Sequence, residues 1–512
     1  MNKKRIGNIC LSALLVIAIG IGVFQHSGIS WNTLFGKEAN EDIESFLEKN
    51  PVQPQTKKVV NDLSKAFNII LENSTREFYK GYPIDHAFLH WVGSTFGDDA
   101  VMDIAYRIYE GYVDEGLWYV YTENSMHVLW LKYCKDMGFS TYQLENVHWQ
   151  ECASEDVVTI DLTGDINLAD DWHTMLAASE RANGIYDCIS KEVVKELQSA
   201  DISVINNEFV FSDGGDRQED KAYTFRAKTE NVSMLEAFGA DLASLANNHT
   251  YDFRESGLLD TIATLEGAGI ATMGAGANLA EAKTIQYYVA NGKKIAFVSA
   301  TEIERYSNYT KEATETEAGV LKTLDPTIYN QVIAEAKENS DYVIASVHWG
   351  AEGTYKNNTA QSRLAKGFVD AGADAVIGGH PHRMQGIEYI DGVPICYSLG
   401  NFWFSTGTLY TTIAQVQIDD KGELSLRMLP CKQQNLTTSM LTGEAAEDFY
   451  KFLADISRNI VIDKEGYIYN TLNGKNADLL TDENYQSGKR YDTHDSNKDL
   501  EGRAIDAVGN LR

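Results

Sequence analysis

The chain has 512 residues, with 44 Lys and Arg against 74 Asp and Glu and a formal net charge of −30. A chain this long exceeds one ordinary core, so at least two folded parts plus appendages are expected. The acidic balance and the lack of any extended basic cluster exclude nucleic-acid binding, because phosphate backbones are held by concentrated Lys and Arg.

Lys3, Lys4 and Arg5 precede a charge-free stretch from Ile6 to Phe24. At about 1.5 Å per helical residue this stretch reaches roughly 28 Å, close to the hydrocarbon thickness of a bilayer. It predicts a single transmembrane anchor in residues 1–24, with the basic end cytoplasmic and the rest of the chain extracytoplasmic. A cleavable signal peptide is the rival, but Gln25-His26-Ser27-Gly28 supplies no convincing small-x-small cleavage site. Residues 25–58 are polar, carry Pro51 and Pro54, and read as a linker. Residues 59–150 show helical periodicity and many aromatics, among them Trp91, Tyr106, Trp118, Trp130 and Trp149, which predicts a helical domain with an aromatic core.

From 155 to 435 strand-like and helix-like segments alternate, which predicts a layered α/β fold. Short apolar runs end repeatedly in groups able to bind a metal. Val157–Leu162 leads to Gly164-Asp165, and Ile202–Ile205 leads to Asn206-Asn207-Glu208. Leu242–Ala246 leads to Asn247-Asn248-His249, Val343–Val347 to His348, and Ala375–Ile377 to Gly378-Gly379-His380-Pro381-His382. Placing chemistry at the carboxyl ends of strands is how α/β folds build their sites. Between these runs, Asp325 is a predicted N-cap with Pro326 opening a helix whose face is Ile328, Val332, Ile333 and Ala336. Gly257–Gly269 is a second amphipathic helix. Gly274-Ala275-Gly276 lacks a P-loop lysine and reads as a tight turn. Residues 436–472 hold a further helix, from about Glu444 to Ser457, and extend the core. The polar, Asp- and Asn-rich residues 473–512 read as a disordered tail.

Outside the apolar stretch lie Cys134, Cys152, Cys188, Cys396 and Cys431, with no closely spaced pair. The odd count excludes a fully paired framework, the spacing argues against a thiolate zinc site, and one disulfide stays open.

Asp165, Glu208, Asn248, His348, His380 and His382 supply the carboxylate, amide and imidazole groups that a pair of divalent ions requires, with Asn167 and Asn206 as additional candidates. The ions could be Mn, Zn, Fe or Mg, and the nucleophile would be a water that they activate. His249, beside Asn248, is the catalytic candidate, able to protonate a leaving oxygen or stabilise developing charge.

The run A-N-N-H-T-Y-D-F-R-E-S-G-L-L-D-T from Ala246, then V-H-W-G-A-E, Q-S-R-L-A-K-G-F-V-D-A-G-A-D-A-V-I-G-G-H-P-H and Y-S-L-G-N-F-W-F, resembles the CapA family of bacterial capsule and poly-γ-glutamate biosynthesis proteins across about residues 155–435. The resemblance implies a metallophosphoesterase-like fold of two mixed β-sheets packed face to face with helices outside. It further implies a membrane-anchored protein acting on an anionic surface polymer or its precursor, beside membrane-bound polymer synthase subunits. By the same resemblance Asp165 matches the first metal-ligand aspartate and Glu208 stands at the bridging position. Asn248 and His249 match the asparagine–histidine pair, and His348, His380 and His382 match the later histidine ligands. Asn167 departs from the family pattern, since many phosphoesterases carry a histidine ligand there. Asn207-Glu208 likewise departs from their Gly-Asp dipeptide. A non-catalytic scaffold of a polymer synthase and a surface metallophosphatase stand as alternatives to a hydrolase of the polymer pathway.

Overall fold

A computed structural model describes residues 86–97, 100–101, 104, 116–137, 146–303, 309–487 and 494–512. The expected anchor (1–24) and linker (25–58) lie outside the described residues, as does Tyr106. Among the described residues no helix is long and apolar enough to cross a membrane. The chain divides into two units, one of residues 1–147 with 292–294, the other of 148–291 with 295–512.

In the first unit, helices His86–Phe96, Gly116–Thr122 and Met126–Met137 bury Trp91, Trp118 and Trp130. Phe88 sits at their centre, its ring 5.4 Å from those of Trp130 and Tyr133. Tilted and edge-on aromatic pairs of this kind add to the burial energy of each ring. Trp149, expected in the same aromatic core, lies instead in the second unit, on the edge strand Val147–Gln150, where it is 40% exposed.

In the second unit, two large sheets contain, among the described residues, eleven and seven strands. The larger holds β1 (Val157–Ile166), β2 (Ile202–Asn207) and β3 (Leu242–Ser244), all parallel. The smaller holds β4 (Lys293–Thr301, of which 295–301 belong to this unit), β5 (Tyr342–His348) and β6 (Ala375–Gly379), also parallel. These are runs of β-branched and small apolar residues buried on both faces, as parallel strands require. Both sheets are mixed. β7 (Asn401–Trp403) pairs in parallel with the end of β1, and β8 (Leu409–Asp419) runs antiparallel along its length. In the smaller sheet Met384–Ile390 runs antiparallel to Val393–Leu399.

One apolar cluster joins Ile160, Leu162 and Val204 of the first sheet to Phe297, Ile344 and Ile377 of the second, so the sheets share a core. Each such side chain contributes about 1.5–3 kcal/mol on burial. The other face of the larger sheet packs Ile205 and Ala243 against Val193 and Leu197 of helix Lys191–Ser199 and Leu258 and Leu265 of helix Arg254–Gly267. Helices Thr327–Glu338 and Thr359–Ala371 cover the outside of the smaller sheet, and the Tyr329 hydroxyl donates toward Val298 O and Ser346 O at 3.2 and 2.7 Å. The chain is thus a mixed α/β fold with multiple sheets.

Local readings shift by a residue or a turn. Pro326 is the N-cap, not the first helical residue, while Asp325 Oδ1 accepts from Thr327 N at 3.0 Å. Tyr329 takes the deep position expected of Ile328, since its hydroxyl can satisfy strand carbonyls. Ala275–Gly276, expected as a tight turn, is a short strand paired with Gly319–Val320. Cys134, Cys188, Cys396 and Cys431 form no disulfide among the described residues.

The expectation of a disordered tail over 473–512 is corrected for its described residues, 473–487 and 494–512. Tyr485–Gln486 extends the larger sheet, and Ile505 and Val508 are buried. Two apolar anchors suffice because the rest of the segment is held by its backbone and by turns such as Asp499, whose Oδ2 accepts from Thr408 N at 3.1 Å.

Asp161 on β1 is fully buried; Gln415 Nε2 donates to its Oδ1 at 3.0 Å and its Oδ2 has no hydrogen-bond partner. Burial pushes its carboxyl up to about 7. The unfolded chain releases this proton first, near pH 4, so the native state loses stability as pH rises from about 4 to 7 and the loss is constant above that. Asp161→Asn is therefore expected to raise stability by on the order of 2 kcal/mol at pH 8 and by almost nothing near pH 3.5. Denaturant melts at the two pH values check this.

Candidate metal centre

The carboxyl ends of β1, β2, β5 and β6 meet where the two parallel sets face each other. A register irregularity between Leu162 and Asp165 turns the Asp165 side chain into this meeting point. Asp165 and Glu208 are wholly buried; Asn248, His348, His380 and His382 are 1–5% exposed.

Two groups of potential ligand atoms form, each with all atoms within 4.8 Å of one another: Glu208, His348 and His380; and Asp165, Glu208 and His382. Glu208 belongs to both. His348 Nε2 lies 3.1 Å from His380 Nδ1, 2.7 Å from Asn248 Oδ1 and 3.4 Å from Glu208 Oε1. The nitrogen spacing is near the ~3.3 Å expected for two imidazoles on one tetrahedral ion. In the second group His382 Nδ1 lies 3.4 Å from Asp165 Oδ2, and its Nε2 lies 3.8 Å from Glu208 Oε1.

The sequence-expected residues sort as follows. Asp165, Glu208, Asn248, His348, His380 and His382 come together. Asn206 stands behind them, its Nδ2 donating to Asp165 Oδ1 at 2.7 Å and lying 3.4 Å from His348 Nδ1, a positioning arrangement. Asn167 spends its side-chain oxygen on Ala169 N at 2.8 Å, closing a turn.

The chemistry of this donor set fits divalent cations. Both Glu208 oxygens and His382 Nε2 are buried without a hydrogen-bond partner, a costly arrangement that a cation would relieve. Burial pushes Asp165 up to about 7, against the opposing hydrogen bond from Asn206. Burial and then the Asp165 charge push Glu208 well above the usual carboxylate range. Burial and neighbouring imidazoles hold His348 and His380 far below the usual histidine value; burial holds His382 down to about 3. The imidazoles are accordingly neutral, the form that ligates metals.

The histidine loop is strained into place: His380 has φ 95° and His382 φ 54°, in the left-handed region that costs non-glycine residues about 1–2 kcal/mol each. Two glycines let it close. A Cβ on Gly378 would stand 2.1 Å from Tyr397 O, and one on Gly379 would stand 2.8 Å from Asp165 Oδ1. Gly378→Ala is expected to cost about 1–3 kcal/mol, since a backbone carbonyl cannot yield. Gly379→Ala should leave the melting temperature nearly unchanged while weakening metal affinity about 10-fold by displacing a ligand carboxylate. Thermal melts and metal titration separate the two.

His249 Nδ1 lies 2.8 Å from Asp252 Oδ2, and its ring centroid is 4.3 Å from that of Phe225. Asp252 also accepts from Phe225 N at 2.7 Å and from Lys221 Nζ at 2.7 Å, while Lys221 donates as well to Asn248 O. Lys221 thereby ties Asn248, a candidate ligand residue, and the His249–Asp252 pair to one buried ammonium. Sequence reasoning missed Asp252 and Lys221. Asp252 was signalled by its i+3 spacing from His249; Lys221, 27 residues before Asn248, carried no local signal.

Residues 159–406 match the family model described as bacterial capsule synthesis protein PGA_cap. The chain is 34% identical over 218 residues to the PGA biosynthesis protein CapA of Bacillus subtilis, covering 42% of this chain and 56% of that protein. The chain thus spans little more than half the length of that relative. It is 30% identical over 293 residues to a probable polyglutamine synthesis accessory protein of Mycobacterium tuberculosis, covering 52% of this chain and 76% of that protein. A solved structure described as a novel phosphatase from Mycoplasma pneumoniae is 11% identical with a TM-score of 0.34, covering 55% of this chain and 95% of that one, a likeness too low to carry anything further. With the motif-bearing strands, the family match and a relative covered over most of its length in agreement, the chain belongs to the bacterial capsule synthesis protein (PGA_cap, CapA) family.

Proposed function

We propose that this chain is a membrane-anchored, extracytoplasmic component of capsule or poly-γ-glutamate biosynthesis or export, carrying a two-metal hydrolase-type site. The observation that carries the site reading is the sharing of Glu208 by two ligand groups, with both of its oxygens buried and without hydrogen bonds. Asp165, Glu208 and His382 would hold one ion; Glu208, His348 and His380, with Asn248 beside them, would hold the other. Bound divalent ions supply Lewis acidity and acidify water near neutral pH. The protein's own contribution is a buried pocket, neutral imidazoles and a His249–Asp252 pair poised to hand a proton to a leaving oxygen. Relatives described as a PGA biosynthesis protein and as a probable polyglutamine synthesis accessory protein support a role in making such a polymer, beside the enzymes that synthesise it. The apolar stretch 6–24 supports anchoring.

A scaffold reading is favoured by one observation: Asn167, at a position where many phosphoesterases place a ligand, uses its oxygen within a turn. Complementation separates the readings. In a host whose polymer production requires this protein, His249→Ala at normal protein level is expected to abolish output; unchanged output would mean a scaffold. Removal of residues 1–24 is expected to release the protein from membranes, and retention there would overturn the anchor.

A further inference from the structure

The carboxyl-terminal segment 494–512 lies beyond the family-matched residues 159–406 and is nonetheless bound to the histidine loop of the metal centre. Asn401 is the link. Its Oδ1 lies 2.7 Å from His382 Nδ1, and its Nδ2 donates to Val508 O and Ser405 Oγ, both at 2.9 Å. A backbone carbonyl only accepts, so Val508 O dictates which end of the Asn401 amide faces it. The amide oxygen is left facing His382, and the proton of that imidazole must sit on Nδ1. Its lone pair is then on Nε2, the nitrogen that is buried without a hydrogen-bond partner and lies 3.8 Å from Glu208 Oε1.

A second attachment acts on the next residue. Arg383 is 1% exposed, and its guanidinium donates to His382 O at 2.9 Å, to Asp506 O at 2.9 Å and to Ser496 O at 3.2 Å. A buried guanidinium is costly without acceptors, and here carboxyl-terminal carbonyls serve its Nη2, while Nε is left without a partner. The same segment therefore fixes both the tautomer of His382 and the backbone that carries it, in a loop whose left-handed φ values would otherwise relax.

We propose that residues 494–512 are a positioning clasp for the metal centre, which sets the His382 tautomer through Asn401 and holds the ligand loop through Arg383. The inference rests on the metal-site reading above. Asn401 and the clasp touch no reacting atoms and act through His382, as partners of metal-bound histidines commonly do.

The test compares four forms of the full chain: wild type, Asn401→Ala, Asn401→Asp and a chain ending at residue 493. Mn2+ binding is measured by calorimetric titration, and hydrogen exchange of residues 378–384 is followed in the metal-free protein. Wild type is expected to bind at both positions. Asn401→Ala and the shortened chain should lose about 10–100-fold in affinity at one position only, and their loop should exchange faster without metal. Asn401→Asp keeps an acceptor for Nδ1 and should restore binding although its contact to Val508 is lost, which a merely structural role would not allow. If the shortened chain does not fold, the two Asn401 variants decide alone. Wild-type binding matched by Asn401→Ala, or loop exchange unchanged in it, overturns the clasp while leaving the metal site standing. A wild type that takes up no Mn2+ overturns the metal-site reading, and the clasp with it.

Discussion

Glu208→Ala is expected to abolish metal uptake at both positions, whereas Asp165→Asn should remove one position and spare the other. The difference follows from membership: Glu208 belongs to both ligand groups and Asp165 to one. Metal content per chain, measured by mass spectrometry, should fall from about two to about none for the first variant and to about one for the second. Stability supplies an independent sign. The Glu208 carboxyl is wholly buried, lacks hydrogen bonds and is pushed to high pKa by burial and by Asp165, so without metal it destabilises the native state near neutral pH. Metal-free Glu208→Ala should therefore melt no lower than metal-free wild type, while losing the stabilisation that metal gives wild type. A variant that melts lower without metal and still binds two ions would refute the shared-ligand geometry.

The second large effect concerns proton transfer. His249→Ala is expected to lower hydrolysis of a generic phosphoester, assayed with added Mn2+ or Zn2+, by about 10²–10⁴-fold, with metal content unchanged. Asp252 acts through His249, its Oδ2 lying 2.8 Å from Nδ1, and so holds the imidazole in one orientation. Asp252→Asn should give a smaller rate loss, because the imidazole keeps a hydrogen-bond partner while its charged form loses a compensating charge. It should also cost stability, since Lys221 is left buried without its carboxylate partner. An active wild type whose rate is indifferent to His249 would remove this residue from the chemistry.

Much of this architecture was legible in advance, and the reason is local. A parallel strand buried on both faces reads as a short β-branched run, and polar residues at or just past its carboxyl end are the candidates to line a site, so Asp165, Glu208, His348 and His380 stand out beside their strands. Helix Glu444–Ile456 was equally readable, because its buried Phe449, Phe452, Leu453 and Ile456 recur at helical spacing. Where the reading erred, a distant partner outweighed local composition. The segment around Ile505 and Val508 looks too polar to fold, yet Arg383 and Asn401 supply donors to its carbonyls. Trp149 looks like core, yet its strand sits at a sheet edge.

By itself, the order of residues determined the layered α/β class, the family, and which side chains could bind a cation, because these depend on period, residue type and neighbours a few positions apart. Only the tertiary structure decided that Glu208 is common to both ligand groups, that Asp252 and Lys221 brace His249 and Asn248, and that Val508 reaches the His382 loop through Asn401. Those pairings join residues brought together by strand register and loop closure. Hydrogen bonds of this kind form between groups whose separation along the chain leaves no periodic trace.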